Sequence, residues 1–205
     1  MNRINKPSAT FLIAFAASLA LAATLTACGG ATPQEEPPLA GATIGGDFTL
    51  TGSKGQTVRW GDFAGKYRIV YFGFTFCPDI CPTDMQRVAQ GLKILKGKDP
   101  ELAAKVVPIF ISIDPERDTP AKVGEFAAAF SPDMVGLTGT PEQIAATAKT
   151  FKVAYSKEAP EANGSYQMQH STIVYLFGPD GEPIATLPTD LGAEAVAAEL
   201  ERWVN

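Results

Sequence analysis

Residues 68–74 read RIVYFGF, a β-prone run without polar alternation after its first position. Such a run belongs in a strand covered on both faces, at the centre of a sheet with helices packed on each side. Two thiols follow at once, in Phe76-Cys77-Pro78-Asp79-Ile80-Cys81-Pro82. Met85, Val88, Leu92 and Leu95 then recur at steps of three, four and three, which gives the apolar stripe of a helix. A buried strand, two cysteines and an amphipathic helix, in that order, constrain the fold more than any other part of the chain.

The remaining pattern agrees. Residues 106–113, VVPIFISI, predict a second buried strand, in which Pro108 fits poorly. Pro120 opens a helix to Phe130, residues 134–137 form a short strand, and Pro141 opens a helix to about Phe151. Asn163-Gly164 marks a tight turn in a polar stretch. Residues 171–177 predict a third core strand, which turns through residues 178–181 into residues 183–187. Val196, Leu200 and Trp203 define the inner side of a closing helix. Upstream, residues 48–50 and 57–60 flank a glycine-containing turn and predict an N-terminal β-hairpin. The expectation is an α/β, thioredoxin-like fold, with a central mixed sheet flanked by helices. A conventional thioredoxin has two residues between its thiols; this chain has three.

The ends of the chain set its compartment. Arg3 and Lys6 precede an uncharged run of 17 residues, 11–27, in the form of an export signal. Leu25-Thr26-Ala27-Cys28 resembles a bacterial lipoprotein signal, in which Cys28 becomes the lipidated N-terminus. An uncleaved signal anchor is the alternative, at the short limit for a spanning helix. Either way the domain is exported and held at the bacterial cell membrane, on its periplasmic or extracytoplasmic face. The small, acidic, Pro-rich residues that follow predict a flexible tether. The expected organisation is a signal peptide over 1–27, a lipidated tether over 28–44 and one domain over 45–205.

Composition excludes several functions. Hydrophobic residues make up 45% and charged residues 19%, enough for a real core. The net charge is −5, and loss of Arg3 and Lys6 with the signal makes it −7, so nucleic acid is not an expected partner. Neither a G-x-S-x-G elbow nor a G-x-x-x-x-G-K-[ST] loop occurs. Peroxiredoxin chemistry wants a Thr three residues before the reactive Cys, where this chain has Phe74.

The chain has three cysteines and one histidine. Pro78 and Pro82 cannot share one regular first turn, so the cysteine segment is read as irregular, with the helix starting near Pro82. Both sulfurs then lie at a helix N-terminus, where the dipole is expected to lower their pKa. Thiolates serve metal binding and disulfide exchange alike. A structural disulfide is a third reading, but a loop this short cross-links almost nothing. His170 is expected at the start of the third core strand, facing the helix mouth. Two thiolates and an imidazole favour copper. Structural zinc normally takes four protein ligands, and an Asp would have to supply the fourth. Asp79 and Asp84 read as caps or solvated carboxylates. Met85 reads as core, and Phe72, Phe74 and Phe76 as packing and shielding.

Three motifs in order, GFTFCPDICP (73–82), DPERDTP (114–120) and QHS (169–171), resemble those of the SCO/SenC family of copper-binding thioredoxin-fold proteins. The resemblance covers most of residues 45–204. It implies that Cys77, Cys81 and His170 bind one copper, as Cu(I) or Cu(II), and that Asp114 supports the site or its redox chemistry from behind. Gln169 stands where the family commonly has Asp, and an amide cannot supply a carboxylate's charge. The resemblance further implies a membrane-tethered metallochaperone that assembles the dinuclear copper centre of cytochrome c oxidase, by delivering copper, by reducing the target cysteines, or both. Its partner would be the copper-site subunit of that oxidase, together with other periplasmic copper carriers or thiol reductants. The enzymatic alternative is a thiol–disulfide reductase in which Cys77 and Cys81 form the redox-active pair.

Overall fold

In the computed structural model, which describes residues 35–205, the run RIVYFGF becomes the buried centre of a mixed sheet. The strands are β1 (Thr49–Gly52), β2 (Thr57–Arg59), β3 (Tyr67–Gly73), β4 (Val106–Ser112), β5 (Val135–Thr138), β8 (Val174–Phe177) and β9 (Pro183–Thr186), in the order β2-β1-β5-β4-β3-β8-β9. β3 and β4 pair in parallel, as do β4 and β5; β8 closes antiparallel on β3 and β9 on β8. Every residue of β3 is buried, as a strand covered by helices on both faces requires.

The helices are α1 (Ile80–Lys98), α2 (Pro100–Ala103), α3 (Pro120–Phe130), α4 (Pro141–Thr150) and α5 (Ala193–Trp203). α3 and α4 start with Pro after a Thr cap, Thr119 and Thr140 respectively. α1 and α5 pack closely because Gly91 lacks a side chain: a Cβ there would lie 2.5 Å from Val196 Cγ1. The predicted hairpin is β1 with β2, and β1 joins the main sheet through β5. Phe48 and Trp60 anchor it in an aromatic cluster with Phe151 and Phe177, at ring separations of 5.3–6.3 Å. Pro108 is tolerated because β5 pairs with β4 only from Ile109 onward, beyond the proline.

Three expectations change. The folded unit begins at Pro37, inside the segment read as tether. Leu39 donates its backbone N–H to the Ile184 carbonyl, and Leu39 and Ile44 pack on the core. α1 starts at Ile80, two residues before Pro82, because the first-turn N–H groups have no intrahelical partner and Pro82 sacrifices none. The strand expected over 171–177 is shorter, and His170, expected at its start, belongs to a different strand. β7 (Met168–His170) pairs with β6 (Tyr155–Lys157) as a separate antiparallel ribbon, and β8 follows at Val174. The Asn163-Gly164 turn lies in the loop of this ribbon, with Gly164 at φ 83°. The signal, Cys28 and residues 28–34 of the tether lie outside the described residues. Among the described residues no helix is long and apolar enough to cross a membrane.

Candidate metal centre

β3 ends at Gly73, and the chain crosses the carboxyl edge of the sheet to α1, the usual place for a ligand in an open α/β sheet. Cys77 lies in this crossing and Cys81 in the first turn of α1. The Cys81 backbone N–H, one of the helix's unpaired donors, points at Cys77 Sγ at 3.4 Å. Asp79 holds the cap position, but its side chain makes no capping bond. The two thiols are thus drawn together by the helix start itself.

His170 reaches them from the end of β7 rather than from the start of a core strand. Its Nε2 lies 3.3 Å from Cys81 Sγ, and Cys77, Cys81 and His170 offer donor atoms all within 4.8 Å of one another. The imidazole Nδ1 lies 2.9 Å from the Ser171 carbonyl. A carbonyl can only accept, so Nδ1 carries the proton and Nε2 turns its lone pair to the sulfurs. Burial lowers the His170 pKa, against the Ser171 hydrogen bond and the nearby Asp84, so the ring stays neutral at pH 7. Tyr71 and Phe74 hold the ring edge-on, with centroids 5.9 and 6.0 Å away. Cys77 lines an open cavity of about 410 Å³ with Pro78, Ile80, Met168 and His170; Cys81 lies behind it, fully buried.

The expected lowering of both thiol pKa values is not found at Cys81. Burial pushes this thiol well above its ordinary range, and the neighbouring Cys77 adds to the rise. Loss of water outweighs the helix end when the sulfur has no solvent contact.

The carboxylates are also placed differently. Asp84 is neither cap nor solvated: it is 2% exposed, beneath the site. Burial raises its pKa, while the nearby Thr189 and Tyr71 side chains and the charge of Arg87 oppose the rise. The Tyr71 hydroxyl is buried beside Cys81 and Asp84 without a hydrogen bond of regular geometry. Sequence reasoning missed both residues. A signal existed for Asp84, which follows Cys81 by three positions and shares its helix face. Asp114 is buried, with its carboxylate held by Arg117 Nε at 2.5 Å and by the Tyr166 hydroxyl at 2.8 Å. Gln169 lines the same cavity as Cys77 and donates to Glu158 at 2.6 Å. Phe72 and Phe74 are core as expected, whereas Phe76 is 48% exposed at the rim.

The profile of the SCO1/SenC family matches residues 36–205. The chain belongs to this family. Its similarity to the SCO1/SenC protein SenC of Rhodobacter capsulatus is 44% identity over 142 residues, 68% of this chain and 61% of SenC. Identity to the mitochondrial SCO1 homolog 1 of Arabidopsis thaliana is 42% over 147 residues, 71% of this chain and 43% of that protein. The matched segment thus spans about half the length of these relatives. Among solved structures, ScoI of Bradyrhizobium japonicum with copper bound superposes with a TM-score of 0.70 at 38% identity, over 78% of this chain and 99% of that one. The SCO1/SenC fold is the thioredoxin-like α/β architecture expected from the strand–cysteine–helix order.

Proposed function

We propose that this chain is an exported, membrane-tethered copper carrier that helps assemble the dinuclear copper centre of cytochrome c oxidase. One copper ion is held as cargo by Cys77 Sγ, Cys81 Sγ and His170 Nε2. The observation that carries this reading is the convergence of two sulfurs and one bare imidazole nitrogen within 4.8 Å, beside an open cavity. Two sulfurs and a nitrogen are soft to intermediate donors, which suit copper. The copper-bound ScoI of B. japonicum supports the same cargo. Three ligands, two of them at a cavity wall, leave room for a recipient's ligand to enter before copper departs. Export and anchoring through Cys28 would hold the domain beside the oxidase, whose copper-site subunit is the recipient. Other periplasmic copper carriers or thiol reductants would reload or reduce it.

The test is transfer. Copper-loaded protein is mixed with the reduced, copper-free soluble domain of an oxidase copper-site subunit, and copper is followed on each after separation. Copper appears on the acceptor under this reading; retention on the carrier, or release only to free chelator, contradicts it.

A second reading, thiol–disulfide reductase for the oxidase cysteines, is favoured by one feature. Cys77 lines the cavity whereas Cys81 is buried behind it, an arrangement that suits an attacking and a resolving thiol. Under that reading His170→Ala leaves reduction of the target disulfide unchanged, and an activity that collapses without His170 counts against it.

A further inference from the structure

The loop that follows β4 touches both halves of the metal centre. Asp118 is fully buried and accepts hydrogen bonds from the backbone N–H of Thr75 at 2.9 Å and from Thr75 Oγ1 at 2.5 Å, two residues before Cys77. Ser112 donates to the same carboxylate at 2.6 Å. Arg117 reaches the other half. Its Nη1 donates to the Tyr166 carbonyl at 2.9 Å, and its guanidinium carbon lies 3.6 Å from the centre of the Tyr166 ring. The same group is 4.8 Å from the Phe76 ring, next to Cys77, and its Nε is paired with Asp114. The Tyr166 hydroxyl closes the circuit by donating to Asp114. Tyr166 stands four residues before His170 on the same segment.

We propose that Arg117 is a positioning residue of the metal centre. It clamps the ribbon that carries His170 against the loop that carries Cys77, and so sets the distance from imidazole nitrogen to sulfur. The proposal rests on His170 being a copper ligand.

The physical reason lies in the ribbon. β6 and β7 are three residues each and form a sheet of their own, apart from the seven-stranded sheet. An isolated two-stranded ribbon of this length has little stability. The ion pair that also ties it down, Lys157 to Glu116, is largely exposed, and such pairs contribute little. Arg117 instead combines a part-buried ion pair, a carbonyl hydrogen bond and close contact with the Tyr166 ring face. Lysine cannot make all three, because its ammonium is a point charge without a plane or a fork.

The experiment compares Cu(I) affinity by chelator competition, and Cu(II) optical and paramagnetic spectra, for the wild-type chain, Arg117→Gln, Arg117→Lys, His170→Ala and Arg117→Lys/His170→Ala. Both Arg117 variants are expected to lose about tenfold or more in affinity, the scale of lost metal-site support. Their Cu(II) nitrogen signature should shift toward that of His170→Ala, while Cys77 alkylation stays at the wild-type rate. In the His170→Ala background the Arg117 change should cost nothing more. Arg117→Lys keeps a cation against Asp114, so the test stands even if Arg117→Gln does not fold. Wild-type affinity and spectrum in Arg117→Lys would overturn the proposal, as would an equal loss with and without His170. Wild-type copper binding by His170→Ala overturns the ligand assignment instead, and with it the ground of this proposal.

Discussion

Cys81 Sγ and His170 Nε2 lie 3.3 Å apart although 89 residues separate them in the chain. One atom comes from the first turn of α1, the other from the end of a two-stranded ribbon outside the main sheet. The sulfur is buried and the imidazole partly so, and the Ser171 carbonyl fixes which nitrogen faces the sulfur. The arrangement brings two potential ligand atoms from unrelated elements together. Cys77 provides the third at the cavity.

The two thiols should differ in reactivity. Cys77 lines the cavity and Cys81 has no exposed surface, so a small alkylating agent should modify Cys77 at least about tenfold faster. Mass spectrometry of the reduced protein after timed alkylation reads the ratio. Equal rates would mean that the first turn of α1 opens in solution.

Copper uptake should release protons. The raised Cys81 pKa means that its proton must be displaced by the metal, whereas the lowered His170 pKa means that Nε2 is already free at pH 7. The apparent Cu(I) affinity should therefore rise with pH between about 6 and 9, driven by the Cys81 proton. A chelator competition series measures this. A flat profile contradicts the buried, protonated state of Cys81.

Gly73 faces the sulfur. A Cβ at this position would lie 3.0 Å from Cys81 Sγ, 2.9 Å from Tyr71 Cε1 and 3.0 Å from Phe110 Cε2. Gly73→Ala should destabilise the fold by roughly 1–3 kcal/mol, the usual cost of overpacking. It should also weaken copper binding by displacing the sulfur. Denaturant titration and copper competition on one sample separate the two effects; unchanged values for both would refute the packing described.

Asp84 should oppose stability at neutral pH. Its folded-state pKa is raised, so the folded protein holds this proton more tightly than the unfolded chain. The contribution is fully present below the ordinary carboxylate pKa of about 3.9 and is lost as pH rises through the folded value. Asp84→Asn should therefore raise the melting midpoint at pH 7, and its advantage should shrink as pH falls. An Asn variant that melts lower at pH 7 would mean that the ionised carboxylate is a net stabiliser.

The sequence made the site's donors legible because chemistry limits them: two close thiols and one histidine leave few combinations. The sheet was legible because β3 and β4 are apolar on successive residues and α1 repeats at helical spacing. The ribbon was not. Tyr-Ser-Lys and Met-Gln-His are too short and too polar to show strand periodicity, and the loop between them is mostly polar. Its position depends on Arg117, Tyr166 and Asp114, which meet across 52 residues. Nor could composition alone separate a helix end that lowers a thiol pKa from a buried pocket that raises it, because that balance turns on solvent contact.

The proposed function requires that one copper be bound by Cys77, Cys81 and His170 together. The most direct measurement is copper per chain and Cu(I) affinity for the reduced full-length protein in detergent, beside Cys77→Ser, Cys81→Ser and His170→Ala. One copper per wild-type chain is expected, with binding lost or strongly weakened in either Cys→Ser variant and weakened about tenfold or more in His170→Ala. Copper bound equally well without either cysteine, or without His170, would contradict it.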